Sequence, residues 1–226
     1  MSRHPLAQPW AISDEGMQLV LAIWSRGDLF ADAQVRAKAE QAAGERPKTD
    51  VRKYDVRDGV ALIPVVGPLF RRAGLFCDVS GATSYDRIRR DLRASFEDPD
   101  VRERLLVFDS PGGEAAGCAE LAEEIRAGIA DKPIRAYAEG ACASAAYWLA
   151  SACQELIAAP TSILGSIGVR LAVIDDARAQ KKAGVRRVEI VSSQSPGKRG
   201  DPIDDDVLAR LQVRVDDLAE IFLQDV

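Results

Sequence analysis

The chain has 226 residues, 47% of them hydrophobic, with 35 acidic against 30 basic side chains and a net charge of −5; that is enough apolar material for one buried core and a short appendage. The acidic balance, with both signs interspersed, excludes a general nucleic-acid surface, which gathers basic residues into patches. Four cysteines without CxxC spacing and one histidine argue against zinc, and no run reaches the roughly 18 apolar residues of a membrane span.

In chain order, Met1–Leu6 lacks the apolar core of a signal peptide. From Ile12 to about Ala43 the pattern is helical: Ser13 can cap, Asp14 and Glu15 follow, and Ala/Gln/Arg/Glu-rich sequence continues past a break near Gly27. Residues 43–58 are charged, contain Gly44 and Pro47, and read as a surface linker. Residues 1–58 are thus expected to form a helical appendage and linker, and residues 59–226 the main domain.

Val60–Val66 is a continuous apolar run between Gly59 and Gly67, expected of a strand buried on both faces, although Pro64 weakens the pairing. A helix over Tyr85–Phe96 follows, then a buried strand Leu105–Phe108 ending at Gly112-Gly113, a helix over Ala115–Ala130 and a strand over Ile134–Ala138. A small-residue helix runs through Ala152, followed by strands at Leu156–Ala158 and Val188–Val191 and a long helix over Asp204–Asp225. Strands alternating with helices give an α/β fold with a mostly parallel sheet flanked by helices. The cysteines read as reduced and mostly buried, and Arg71-Arg72 and Arg89-Arg90 as solvated surface.

Two segments fall at strand ends, where ligands and catalytic groups gather in such sheets. Gly140-Ala-Cys-Ala-Ser144-Ala-Ala-Tyr147 sets the Ser144 hydroxyl among residues too small to crowd it, at a strand-to-helix junction. Asp109-Ser-Pro-Gly112-Gly113 offers unencumbered backbone N–H groups of the kind that stabilise an oxyanion. Taken singly, the first fits a tightly packed helix and the second an ordinary turn. The only histidine, His4, lies in the terminal segment, so the base for a nucleophilic Ser144 is expected to be a desolvated lysine. Lys132, Lys181, Lys182 and Lys198 all lie in the domain, and spacing alone does not choose among them. Lys198, after the polar Ser192–Gly197 loop, has the best local argument; it would have to be neutral, its pKa lowered by burial and by Arg199.

The ordered set Asp109-Ser-Pro-Gly-Gly113, Ala143-Ser-Ala-Ala-Tyr147, Gly165-Ser-Ile-Gly-Val169 and Ser192-Ser-Gln-Ser-Pro-Gly-Lys198 resembles the S49 peptidase family, the signal peptide peptidase A and phage capsid-maturation protease group of the ClpP/crotonase-like superfamily. The resemblance covers residues 59–226 and implies that Ser144 is the nucleophile, Lys198 the general base, and the N–H groups of Gly113 and Ala145 the oxyanion hole. Gly112, Gly165 and Ser166 become candidates for the substrate groove. Two departures stand out: Ala145-Ala146 where many members have Gly-Gly, and Asp109 where many have Asn.

The resemblance further implies a serine endopeptidase needing no cofactor and no metal, acting on a protein or peptide, and assembled as a ring-like homo-oligomer in which a dyad can be completed across subunits. The membrane-bound members' N-terminal anchor is missing from this sequence, which is more similar to phage or prophage head proteases that process capsid or scaffold proteins. The expected location is the bacterial cytoplasm or the prohead. Two competing readings are a crotonase-like acyl-CoA enzyme, which would not need Ser144 paired with Lys198, and a non-catalytic head-assembly scaffold component.

Overall fold

A computed structural model describes residues 8–25, 54–72, 81–173, 175, 177–186, 188, 190–195 and 203–226. The helical pattern expected over 26–43, Cys77 and Lys198 fall outside these residues. The described elements are β1 (Trp10–Ile12), α1 (Asp14–Ser25), β2 (Asp55–Arg57), β3 (Val60–Val66), β4 (Leu69–Phe70), β5 (Thr83–Ser84), α2 (Tyr85–Glu97) and β6 (Glu103–Ser110). They continue with β7 (Gly112–Glu114), α3 (Cys118–Gly128), β8 (Ile134–Ala143), α4 (Ala145–Ser151), β9 (Glu155–Ala158), β10 (Ile163–Gly165), α5 (Ala177–Lys182) and α6 (Asp205–Asp225).

The larger sheet runs β10-β8-β6-β3-β2, with β9 also on β8; all its pairings are parallel except β2 with β3. The smaller sheet runs β1-β7-β4-β5. Residues 10–12 and 55–57, which the sequence reading leaves to the appendage and linker, therefore supply strands to these sheets. Ser13 caps α1 as expected: its Oγ accepts the Gly16 N–H at 3.2 Å.

The central strands differ from the expectation of burial on both faces. Ala61, Ile63 and Val65 of β3, Leu106 and Phe108 of β6, and Ile134, Ala136 and Ala138 of β8 are buried, whereas their alternate neighbours are only half-buried. The buried face packs with Ile88 and Leu92 of α2, Leu121 and Ile125 of α3 and Trp148 and Leu149 of α4 in one core cluster. The period-2 alternation arises because the described helices cover that face alone. Pro64 disturbs nothing. It lies past the end of β2, on the edge where Val66 donates its N–H to Thr83 Oγ1 at 3.0 Å rather than to β6, so no ladder donor is lost.

Two further expectations change. Val188, Ile190 and Val191 are not in a strand; Ile190 is 94% exposed, and no described element covers it. Arg89 is not fully solvated: its Nε donates to Glu124 Oε1 at 2.7 Å, tying α2 to α3. Cys118 and Cys142 are buried free thiols and Cys153 is half-buried.

The long helix α6 closes the back of α4. Phe222 stacks on Trp148 with ring centroids 4.4 Å apart and planes 4° from parallel, and Trp148 Nε1 donates to Asp225 Oδ2 at 2.7 Å. Asp225 also meets Arg126 of α3 at 3.2 Å. Truncating this fully buried ring by Phe222→Ala is expected to cost about 3 kcal/mol of urea-unfolding free energy. Burial also pushes the Cys142 thiol up to about 12, whereas an unfolded thiol ionises near about 8.5. Its contribution to stability is therefore complete below about pH 8.5 and is lost as pH climbs towards the folded value. Unfolding free energies from urea titrations at pH 7 to 10 should fall more steeply for the wild type than for Cys142→Ala, by up to about 1.4 kcal/mol per pH unit.

Candidate active site

The site begins with a bulge in β8. Phe108 pairs with Ala138, but Ser110 pairs with Cys142, so two steps along β6 match four along β8. Asp109 sits in this interval and accepts the Ala141 N–H on Oδ1 at 3.0 Å. A Cβ at residue 140 would lie 2.4 Å from that same oxygen, so the close approach requires Gly140. An asparagine carbonyl could accept the same bond, so the Asp109 departure leaves the local geometry intact. Past the bulge, Ala141–Ala143 pairs in parallel with Ile163–Gly165, while the first half of β8 pairs with β9.

Ser144 joins the end of β8 to the first residue of α4 with φ 54° and ψ −117°. Its N–H donates to the Gly165 carbonyl at 2.6 Å, and its own carbonyl accepts the Trp148 N–H at 2.8 Å. An L residue in this region of φ/ψ stores roughly 1–3 kcal/mol of strain. A serine held on a sharp strand-to-helix turn is the geometry that presents a nucleophilic hydroxyl. The side chain is 1% exposed, and Oγ has no hydrogen-bond partner among the described residues. A buried, unbonded hydroxyl is itself destabilising. Ser144 thus carries two costs that packing does not explain.

The Gly-Gly turn presses directly on this residue. Gly112 has φ +99°, and a Cβ there would meet Ser144 Cβ at 2.9 Å and the Ala11 carbonyl oxygen at 2.4 Å. The Gly112 N–H is taken up by Ser110 Oγ at 3.2 Å. Gly113 turns its N–H the other way. Ser13 N–H donates to Pro111 O at 2.9 Å and Ala115 N–H to Pro9 O at 3.2 Å, and the alternation of an antiparallel ladder makes Ala11 and Gly113 the hydrogen-bonded pair between them. Ala145 opens α4, where an N–H has no acceptor within the helix. Gly165 ends β10 and Ser166 follows it, with φ values of +107° and 56°.

Ser144 therefore meets both Gly112 and Gly165, with Gly113, Ala145 and Ser166 their chain neighbours. Cys142, two residues before Ser144, is no rival nucleophile at neutral pH, because burial keeps its thiol protonated. Lys132 is committed elsewhere: its Nζ donates to the carbonyls of Phe96, Asp98 and Val101 at 3.1, 3.3 and 2.9 Å, at the opposite end of β6 from the bulge. Lys181 and Lys182 are exposed on α5.

Sequence reasoning missed β1. Trp10 exchanges both backbone hydrogen bonds with Arg170 at 2.8 Å, so the strand runs between β7 and the segment that follows β10. The available signal was the apolar triplet Trp10-Ala11-Ile12 between Pro9 and the Ser13 cap.

Residues 127–226 match the model of Peptidase family S49. The head-tail preconnector protein GP5 of Enterobacteria phage P21 is 36% identical over 187 residues, 82% of this chain and 37% of that protein. The capsid assembly protease C of Escherichia phage lambda is 33% identical over 203 residues, 88% of this chain and 46% of that protein. The chain thus spans less than half the length of either relative. A solved enoyl-CoA hydratase from Polaromonas sp. JS666 aligns at 18% identity and a TM-score of 0.39, over 50% of this chain and 49% of that one. The segment that matches the model of Peptidase family S49 contains β8, Ser144 and the Gly165-Ser166 turn.

Proposed function

We propose that the chain is a serine endopeptidase acting on capsid or scaffold proteins of a phage or prophage head, with Ser144 as nucleophile and Lys198 as general base. The observation that carries this reading is the strained, buried and unbonded Ser144 hydroxyl set against the Gly112-Gly113 turn. Neutral Lys198 takes the hydroxyl proton as Oγ attacks the peptide carbonyl carbon. The N–H groups of Gly113 and Ala145 receive the developing oxyanion. Collapse of the tetrahedral species expels the amine, which takes the proton from Lys198. A water, activated by the same lysine, then releases the acyl group and restores Ser144.

The substrate class is supported by the names of the two phage relatives. Assembly as a homo-oligomer is supported by the apolar side chains left in water on the edge strand β10 and on α6, where Ile163 is 69% exposed and Leu223 is exposed as well. A second copy would cover these, and it could supply Lys198 to a neighbouring Ser144.

Intact-mass measurement after treatment with a serine-directed fluorophosphonate, on fractions separated by size, tests the whole reading. One adduct is expected in the oligomeric wild type, and none in Ser144→Ala, Lys198→Ala or Lys198→Arg, the last because a guanidinium does not give up its proton. Absence of an adduct both in the wild type and in folded variants that unseat residues 9–13 from β7 would overturn the assignment. The strain at residue 144 yields a second expectation. Ser144→Gly adopts the same φ and ψ freely, so it should unfold at higher urea than the wild type, with about 1 kcal/mol more stability while activity is lost.

A further inference from the structure

A peptide entering this site would have to pair with the free edge of β7, next to Gly113, because main-chain pairing with a sheet edge is how an extended substrate gains affinity. That edge is taken. β1 lies antiparallel on β7 from Trp10 opposite Glu114 to Ile12 opposite Gly112, and its other edge is bonded at Trp10 to Arg170. The strand is thus clasped on both sides, as a bound peptide would be. The flanking chain reinforces the clasp: Arg170 pairs with Asp14, and Gly16 packs on Pro111.

The register is specific. Ala11 is the residue bonded to Gly113, so its carbonyl oxygen is held by the N–H assigned above to the oxyanion. The same oxygen and Ser144 Cβ both crowd the single point where a Gly112 side chain would be. Ala11 is fully buried against the main core, which leaves room for a small side chain only. Trp10 and Ile12, facing the other way, form a separate satellite cluster with Met17 and Val20. Trp10 meets Phe70 edge-on at 5.7 Å. A strand anchored largely in its own cluster can leave without opening the main core.

We infer that β1 is a resident substrate strand: residues 9–13 fill the peptide slot of this same chain, Ala11 stands where the residue to be cut belongs, and other peptides enter only when β1 leaves. The inference rests on the peptidase reading for the role of Ser144, but occupancy of the slot is measurable without catalysis. It also sets a preference for a small residue at the attacked carbonyl, flanked by bulky apolar ones.

The test uses a fluorescent peptide copying Gln8-Pro-Trp-Ala-Ile-Ser13, with anisotropy as readout, against the full chain carrying Ala11→Pro or Trp10→Ala. The first removes the N–H that residue 11 contributes to the ladder, and the second empties the satellite cluster. Circular dichroism identifies the folded variants. A folded variant should bind the peptide about tenfold or more tighter than the wild type, because its slot is no longer self-occupied, and a peptide with Leu in place of its alanine should not bind. Equal binding by a folded variant and the wild type would overturn the inference. Should neither variant fold, excess peptide is added to the wild type, and faster amide exchange at residues 10–14 is expected; unchanged exchange would overturn it. Fluorophosphonate labelling in parallel separates the two readings. Tighter peptide binding without labelling in any folded variant sinks the peptidase assignment and leaves the resident strand standing, whereas labelling without a gain in peptide binding sinks the resident strand alone.

Discussion

The bond between the Asp109 carboxylate and the Ala141 N–H is the constraint around which the site is arranged. A β8 that kept its register with β6 would carry Ala143 and Ser144 straight on, with alternate side chains above and below the sheet. The two additional residues on β8 instead bring Cys142 level with Ser110 and let the strand exchange one partner, β9, for another, β10. Only after that exchange does the Gly165 carbonyl stand where it can hold the Ser144 N–H. The strained turn, the approach of Gly112 and the burial of Oγ follow from this one displacement.

Much of the architecture was legible because periodicity and punctuation agreed. Val60–Val66 and the helices beginning at Tyr85 and near Asp204 emerge close to their expected bounds, since apolar pattern and capping residues mark the same limits. The Gly-Gly turn and Ser144 were legible as small-residue segments at strand ends, and the structure brings Gly112 against Ser144. The bulge was not legible, because it depends on a pairing between residues 32 positions apart that no local pattern encodes. The one-sided cover of the sheet escaped for a related reason: a run of aliphatic residues reads the same whether one or both faces are packed. The three residues of β1 were too few to show a period and were left to the N-terminal appendage.

The titratable groups near the core are sorted by where they sit rather than by what they are. Cys142 has the more nucleophilic atom, yet burial silences its thiol, while the hydroxyl two residues on is placed under backbone strain. Lys132 has a flexible cationic chain, yet three carbonyls at the far end of β6 hold it. Arg104, fully buried, is spent bonding Ser95 and lying over the Phe96 ring at 3.7 Å. With these groups committed to structure, the chemistry at the bulge end is left to residues on the loops that follow the strands, in line with the division of labour in α/β sheets.

The contact between α4 and α6 has a consequence for how the molecule comes into being. Trp148 receives its cover from Phe222 and its indole partner from Asp225, 77 positions further along the chain. Such non-local closure slows folding relative to neighbour-by-neighbour assembly. On the ribosome, where the N-terminal part of a chain is made first, a nascent molecule carries its serine and its sheet well before the outer wall of α4 exists. The helix that sets the turn at Ser144 is thus finished only near the end of this stretch of polypeptide, which delays maturation of the site until α6 has been made.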